Sequence, residues 1–105
     1  MKNSFVTVFC TVPDAKTGRK IAKALVKSRL AACVNIISGI NSIYIWDGKL
    51  CDDAENLLVI KTRGSLFGEL AEKIKQNHPY ATPEIICLPI INGNKEYLKW
   101  LAHNT

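Results

Sequence analysis

The sequence predicts an α+β domain whose elements run βαββαβ, and three observations predict it. Two stretches with apolar residues at helical spacing each separate runs rich in β-branched residues. The two middle runs are joined by Asp47-Gly48, a strong hairpin signal because both central residues of a type I′ turn need positive φ. A chain of 105 residues with 48% hydrophobic content can bury one sheet under two helices and has no room for a second domain, so residues 1–105 are read as a single domain.

Ser4 to Val12 is β-branched, aromatic and nearly continuously apolar, which suggests a central strand ending at Pro13. Asp14 can cap a helix in which Ile21, Ala22, Leu25, Val26 and Leu30 share one face, while Lys16, Arg19, Lys20, Lys23, Lys27 and Arg29 fill the other. The second strand spans Ala32 to Trp46, with Ser38-Gly39 marking a bulge, and the third runs from Leu50 to about Arg63. Ser65 is expected to cap a second helix presenting Leu66, Phe67, Leu70, Ala71 and Ile74 and ending near Asn77-His78, because Pro79 cannot continue its bonding. Glu84 to Ile91 reads as a fourth strand, placed at an edge by Pro89, and a short helix carries Tyr97, Leu98, Trp100 and Leu101. The whole is a ferredoxin-like sandwich with an extra C-terminal helix and a long hairpin between its second and third strands.

That hairpin has a consequence for assembly. Strands of about 12 to 15 residues, against a usual 5 to 6, outrun what two helices can cover. An apolar ribbon carrying Ile43, Tyr44, Ile45 and Trp46 calls for a second copy to cover it, unless the ribbon bends back at Gly39 over its own sheet.

Several function classes lose support. No apolar run approaches the roughly 18 residues of a membrane span. The terminus Met1-Lys2-Asn3-Ser4 carries no apolar leader core, and the expectation drawn from it is a cytoplasmic protein. Cys10, Cys33, Cys51 and Cys87 are widely spaced with no CxxC pair, as expected of reduced thiols rather than a zinc ribbon. The net charge of +5 lies mostly on the first helix, which fits a solvated face. RNA binding by this strand order needs aromatics on the central strands, and Asn56 to Lys61 offers none. There is no G-x-S-x-G elbow, no H-E-x-x-H and no Gly-rich loop after the first strand, so a non-catalytic binding protein is expected.

Phe9-Cys10-Thr11-Val12-Pro13-Asp14, Leu30-Ala31-Ala32-Cys33-Val34-Asn35, Ser42 through Lys49, Glu55 through Thr62, His78 through Glu84 and Tyr97-Leu98-Lys99-Trp100 together resemble the divalent-cation-tolerance family called CutA. The resemblance covers nearly the whole chain. It implies a homotrimer, similar in architecture to the PII signalling proteins, whose subunits continue one another's sheets. It further implies a divalent metal, typically copper, held by Cys10 and by histidines just before the Pro-Tyr pair, which here read Asn77-His78. An amide is a poorer ligand for such a metal than imidazole, so a shell around Cys10 and His78 needs ligands from a neighbouring subunit, a carboxylate or water. The resemblance also suggests a cleft near Glu55, Lys61, Tyr80 and Glu84, for which an interface salt bridge is the more ordinary account. Tyr44, Trp46 and Trp100 suit either trimer contacts or stacking on a flat ligand. The alternative role is a PII-like signalling or scaffolding trimer that binds a metabolite or protein, although PII proteins carry a long loop where this chain has a tight turn.

Overall fold

The structure, a computed structural model, describes residues 5–105. Its elements are β1 (Phe5–Val12), α1 (Ala15–Lys27), β2 (Cys33–Trp46), β3 (Lys49–Arg63), a 3₁₀ turn (Gly64–Leu66), α2 (Phe67–Asn77), β4 (Ile86–Ile90) and α3 (Lys95–His103). Ser4, expected to open the first strand, lies outside the described residues.

The strands form one antiparallel sheet in the order β2-β3-β1-β4, so β1 and β3 are central and Pro89 sits on an edge strand, as its missing N–H requires. Side chains alternate across a strand, and Val6, Val8, Cys10 and Val12 of β1 all point to the face covered by α1 and α2. Leu58 and Ile60 from β3, Ile21 and Leu25 from α1, and Leu70 and Ile74 from α2 complete that core. Gly18 lets α1 approach closely, since a Cβ there would sit 3.3 Å from side-chain carbons of both Leu58 and Val12.

Asp14 caps α1 by accepting from the Thr17 N–H at 2.8 Å. Ser65 does not cap α2. It is taken up in the 3₁₀ turn, and α2 begins after Leu66 with no side-chain cap, because tightening the backbone supplies partners that a hydroxyl would otherwise provide. The C-terminal helix is tied to the opposite side of the sheet by Arg63, whose side chain alternates away from buried Thr62. Its guanidinium donates to the Ala102 carbonyl at 2.6 Å and to the Thr105 hydroxyl at 3.0 Å, and Arg29 donates to the His103 carbonyl at 2.6 Å. Two cations thus meet the negative end of α3.

The hairpin is built as the sequence indicates. Asp47 and Gly48 have φ of 50° and 75°, and the β2-β3 ladder continues unbroken from Ile40↔Glu55 to Trp46↔Lys49. The register shifts between Ile37 and Ile40, where Gly39 adopts φ +78° and two residues of β2 oppose one of β3. This bulge inverts which side chains of β2 face which way. Before it, Cys33, Asn35 and Ile37 face away from α1 and α2; beyond it, Ile40, Ser42, Tyr44 and Trp46 do. The ribbon does not bend back over its own sheet: the subunit extends 44 Å along its long axis against 25 and 23 Å across it. Ile43, Ile45 and Leu50 on one side of the ribbon are 68, 64 and 73% exposed, and Trp46 on the other is 55% exposed.

Candidate functional site

The site is a cleft of about 690 Å³ on the face of the sheet turned away from α1 and α2, where the base of the ribbon meets the segment joining α2 to β4. Its position follows from three local causes. The Gly39 bulge turns Tyr44 and Trp46 onto this face, strand alternation brings Thr11 and Glu55 to it, and the 78–85 segment crosses the end of β1 and lays Tyr80 against it.

His78 anchors that crossing. Its ring is buried, its Nε2 lies 2.8 Å from the Thr11 carbonyl oxygen, and its Nδ1 accepts the Tyr80 backbone N–H at 3.1 Å. Accepting from a backbone N–H requires a lone pair on Nδ1, so the proton sits on Nε2 and is donated to Thr11. Tyr80 packs its ring 4.7 Å from the imidazole and donates its hydroxyl to Glu55 Oε2 at 2.7 Å. Burial first, and then the bond to Glu55, push the Tyr80 phenol above its usual range, which keeps it a donor. On the ribbon side Tyr44 donates to Asp53, and that bond, with smaller contributions from burial and nearby negative charge, pushes its phenol up to about 12.

The predicted site residues divide into two groups. Glu55, Tyr80 and Glu84 come together in the cleft, joined by Tyr44 and Trp46. Lys61 does not join them: it lies further along β3, opposite Cys33, and its Nζ donates to Asn35 Oδ1. The expected Glu–Lys interface pair is therefore absent within the protomer, and Lys75–Glu72 is the one ion pair among the described residues. Trp100 is elsewhere, half-exposed on α3 and packed 5.6 Å from Tyr97.

Cys10 and His78 converge without forming a metal centre. The Cys10 thiol lies 3.7 Å from the same Thr11 carbonyl that His78 engages. Burial, with the negative charges of Glu84 and Glu55 adding to it, pushes the thiol up from 9.0 to about 12, whereas a metal ligand must be thiolate. Both imidazole nitrogens are committed to backbone partners, and the Asn77 amide donates to the Lys73 carbonyl at 2.9 Å. Among the described residues no group of three or more His, Cys, Asp or Glu side chains is placed to share a metal ion. The copper ligand set expected of Cys10 and His78 does not fit the protomer.

The raised thiol has a measurable consequence. Above pH 9 the unfolded chain gives up a proton that the native state holds until about pH 12, so stability falls as pH rises through that window, with a slope of at most ~1.4 kcal/mol per unit. Urea unfolding of the parent and of Cys10→Ala between pH 8 and 11 is expected to show this added slope in the parent alone. Parallel slopes would contradict it.

Fold and site together define a ferredoxin-like α+β protein with an extended β ribbon and a polar, aromatic-walled cleft at its base. The chain belongs to the CutA1 divalent ion tolerance protein family, whose profile it matches over residues 6–104. It is 54% identical over 98 residues to the divalent-cation tolerance protein CutA of Thermus thermophilus, covering 93% of this chain and 95% of that one. It is 50% identical over 100 residues to the chloroplastic CutA 1 of Oryza sativa, covering 95% of this chain and 56% of that one. The crystal structure of CutA1 from Oryza sativa superposes with a TM-score of 0.96 at 48% identity, over 99% of this chain and 95% of that one.

These relatives correct the expected cytoplasmic location. The rice relative is named chloroplastic, and a solved relative from Archaeoglobus fulgidus, 37% identical with a TM-score of 0.93 over 95% of this chain and 97% of that one, is titled a periplasmic divalent cation tolerance protein. The same fold serves several compartments, so the lack of a leader pattern in Met1-Lys2-Asn3-Ser4 does not fix one. Those four residues also lie outside the described part of the structure.

Proposed function

We propose that this chain works as a non-catalytic divalent-cation-tolerance protein that self-assembles into a homotrimer through its β2-β3 ribbon. The observation that carries this reading is the ribbon itself, which exposes large apolar side chains on both of its sides. A two-fold contact covers one patch against its own copy. A ribbon exposed on both sides, next to the open edges β2 and β4, instead favours a head-to-tail contact, which closes into a ring.

The non-catalytic part rests on the state of the reactive groups. His78 has both nitrogens engaged by the backbone, and the Cys10 thiol is held well above neutrality, which leaves the cleft phenols and carboxylates without an activated nucleophile. Copper remains the metal a thiolate–imidazole pair would suit, but binding it there means ionising a buried thiol and breaking the His78 bond to Thr11. We infer that a divalent cation, copper included, engages the assembled protein without using that pair. Isothermal titration of copper and zinc into the parent, Cys10→Ser and His78→Ala tests this. Equal affinity in the parent and Cys10→Ser supports it; loss of binding in both variants restores the Cys10–His78 site, and no binding to the parent removes direct cation binding from the function.

A further inference from the structure

The charges of α1 are arranged against its own stability. Lys16, Arg19, Lys20, Lys23 and Lys27 recur at spacings of three and four, so at about 100° per residue they share one line down the helix, roughly 16 Å long. All five are exposed, and Gly18, Ile21 and Leu25 bury the opposite side against the sheet. Like charges three and four residues apart weaken a helix, and Lys16 stands at the positive end of the helix dipole, where the first turn holds no acidic residue.

Nothing in the protomer neutralises this stripe. α1 contains no Asp or Glu, and Lys75–Glu72 is the one ion pair among the described residues. Asp14, the nearest carboxylate in sequence, accepts from the Thr17 N–H as the helix cap. A face that is merely solvated mixes its signs, whereas five like charges held in a row match an outside polyanion.

The form of the stripe selects among polyanions. An anionic bilayer is flat and would rest also on α2, which packs beside α1 and sets Glu69 and Glu72 against Lys73 and Lys75. An acidic peptide carries at most one charge per ~3.3 Å and must be ordered before it can follow the line. A single nucleic-acid strand is held largely by stacking on aromatic side chains, and α1 has none. A duplex presents one fixed phosphate per about 1.7 Å of its axis, so roughly nine lie along the stripe.

We propose that the exposed side of α1 docks the phosphate backbone of duplex DNA through these five cations, without reading its bases. The helix offers no Asn or Gln to a base edge, and lysine ammonium groups take phosphate as point charges. Copies of the stripe repel one another, so no contact between protomers pairs two of them. The inference goes beyond the assembly reading and does not depend on it.

Fluorescence anisotropy with a labelled duplex of about 20 base pairs, titrated with the full chain, tests this. Saturable binding is expected at about 50 mM salt, and with five phosphate contacts the affinity should fall about 500-fold by about 200 mM. Lys20→Ala combined with Lys23→Ala should weaken binding about tenfold or more and change the slope of log K against log salt from about −4.5 to about −2.7. Both side chains are exposed and alanine favours helix, so the variant keeps its fold, as far-UV circular dichroism checks. No binding of the duplex, or binding unchanged in the folded variant, would overturn the proposal. So would stronger competition by poly-glutamate, a single strand or phosphatidylglycerol vesicles than by unlabelled duplex.

Discussion

Replacing Ile43 and Ile45 together with lysine is expected to dissociate the assembled protein into folded monomers. Both side chains are largely exposed in the protomer, so nothing in its own core is lost. Across the ladder Ile43 faces Asp52, and an ammonium at that position gains a cross-strand partner, so the ribbon itself should hold. The cost falls on the contact between copies. Burying two isoleucine side chains stabilises an interface by about 3 to 6 kcal/mol, and the variant both forfeits this and adds two charges that resist desolvation. Sedimentation velocity at micromolar protein should move from one assembled species to one slow species with unchanged far-UV circular dichroism. An unchanged sedimentation coefficient would show that the ribbon is not the interface.

His78→Leu should produce the largest loss of stability outside the apolar core. The substitution leaves the Thr11 carbonyl without the imidazole donor and the Tyr80 N–H without the Nδ1 acceptor, and each partly buried backbone group left unpaired costs ~1 to 2.5 kcal/mol. The expected total is about 2 to 5 kcal/mol by urea unfolding at fixed protomer concentration. The 78–85 segment should loosen as well. Tyr80 then loses its placement on Glu55. A His78→Leu variant as stable as the parent would mean that the ring does not anchor the crossing.

The physical reasons divide what could be read from the sequence from what could not. Asp47-Gly48 and Gly39 mark places where the backbone needs positive φ, so the turn and the bulge were legible from residue type. Counting back from that turn also places Ser42 opposite Asp53 and Tyr44 opposite Cys51, the signal that could have revealed the Tyr44–Asp53 pair. Lys61 could have been kept out of the cleft by the same counting. It shares a face with Glu55, but six residues along an extended strand is roughly 20 Å. The cap expected at Ser65 failed because a 3₁₀ turn competes for the same backbone groups.

The role of His78 was legible in part. Pro79 ends the helix where expected, and His78 stands at its C-terminal cap. Its partner Thr11 lies 67 residues away in sequence, and no local pattern encodes that contact. Metal chemistry misled for a related reason: residue types suited to copper were present at Cys10 and His78, but burial and backbone partners, which decide whether those atoms are free, are properties of the packed fold.

Assembly through the ribbon is the claim on which the functional reading turns. Native mass spectrometry of the purified protein at micromolar concentration tests it most directly. A dominant species of three 11.7 kDa protomers is expected, whereas a dominant monomer under conditions that keep the fold intact would contradict assembly through the ribbon.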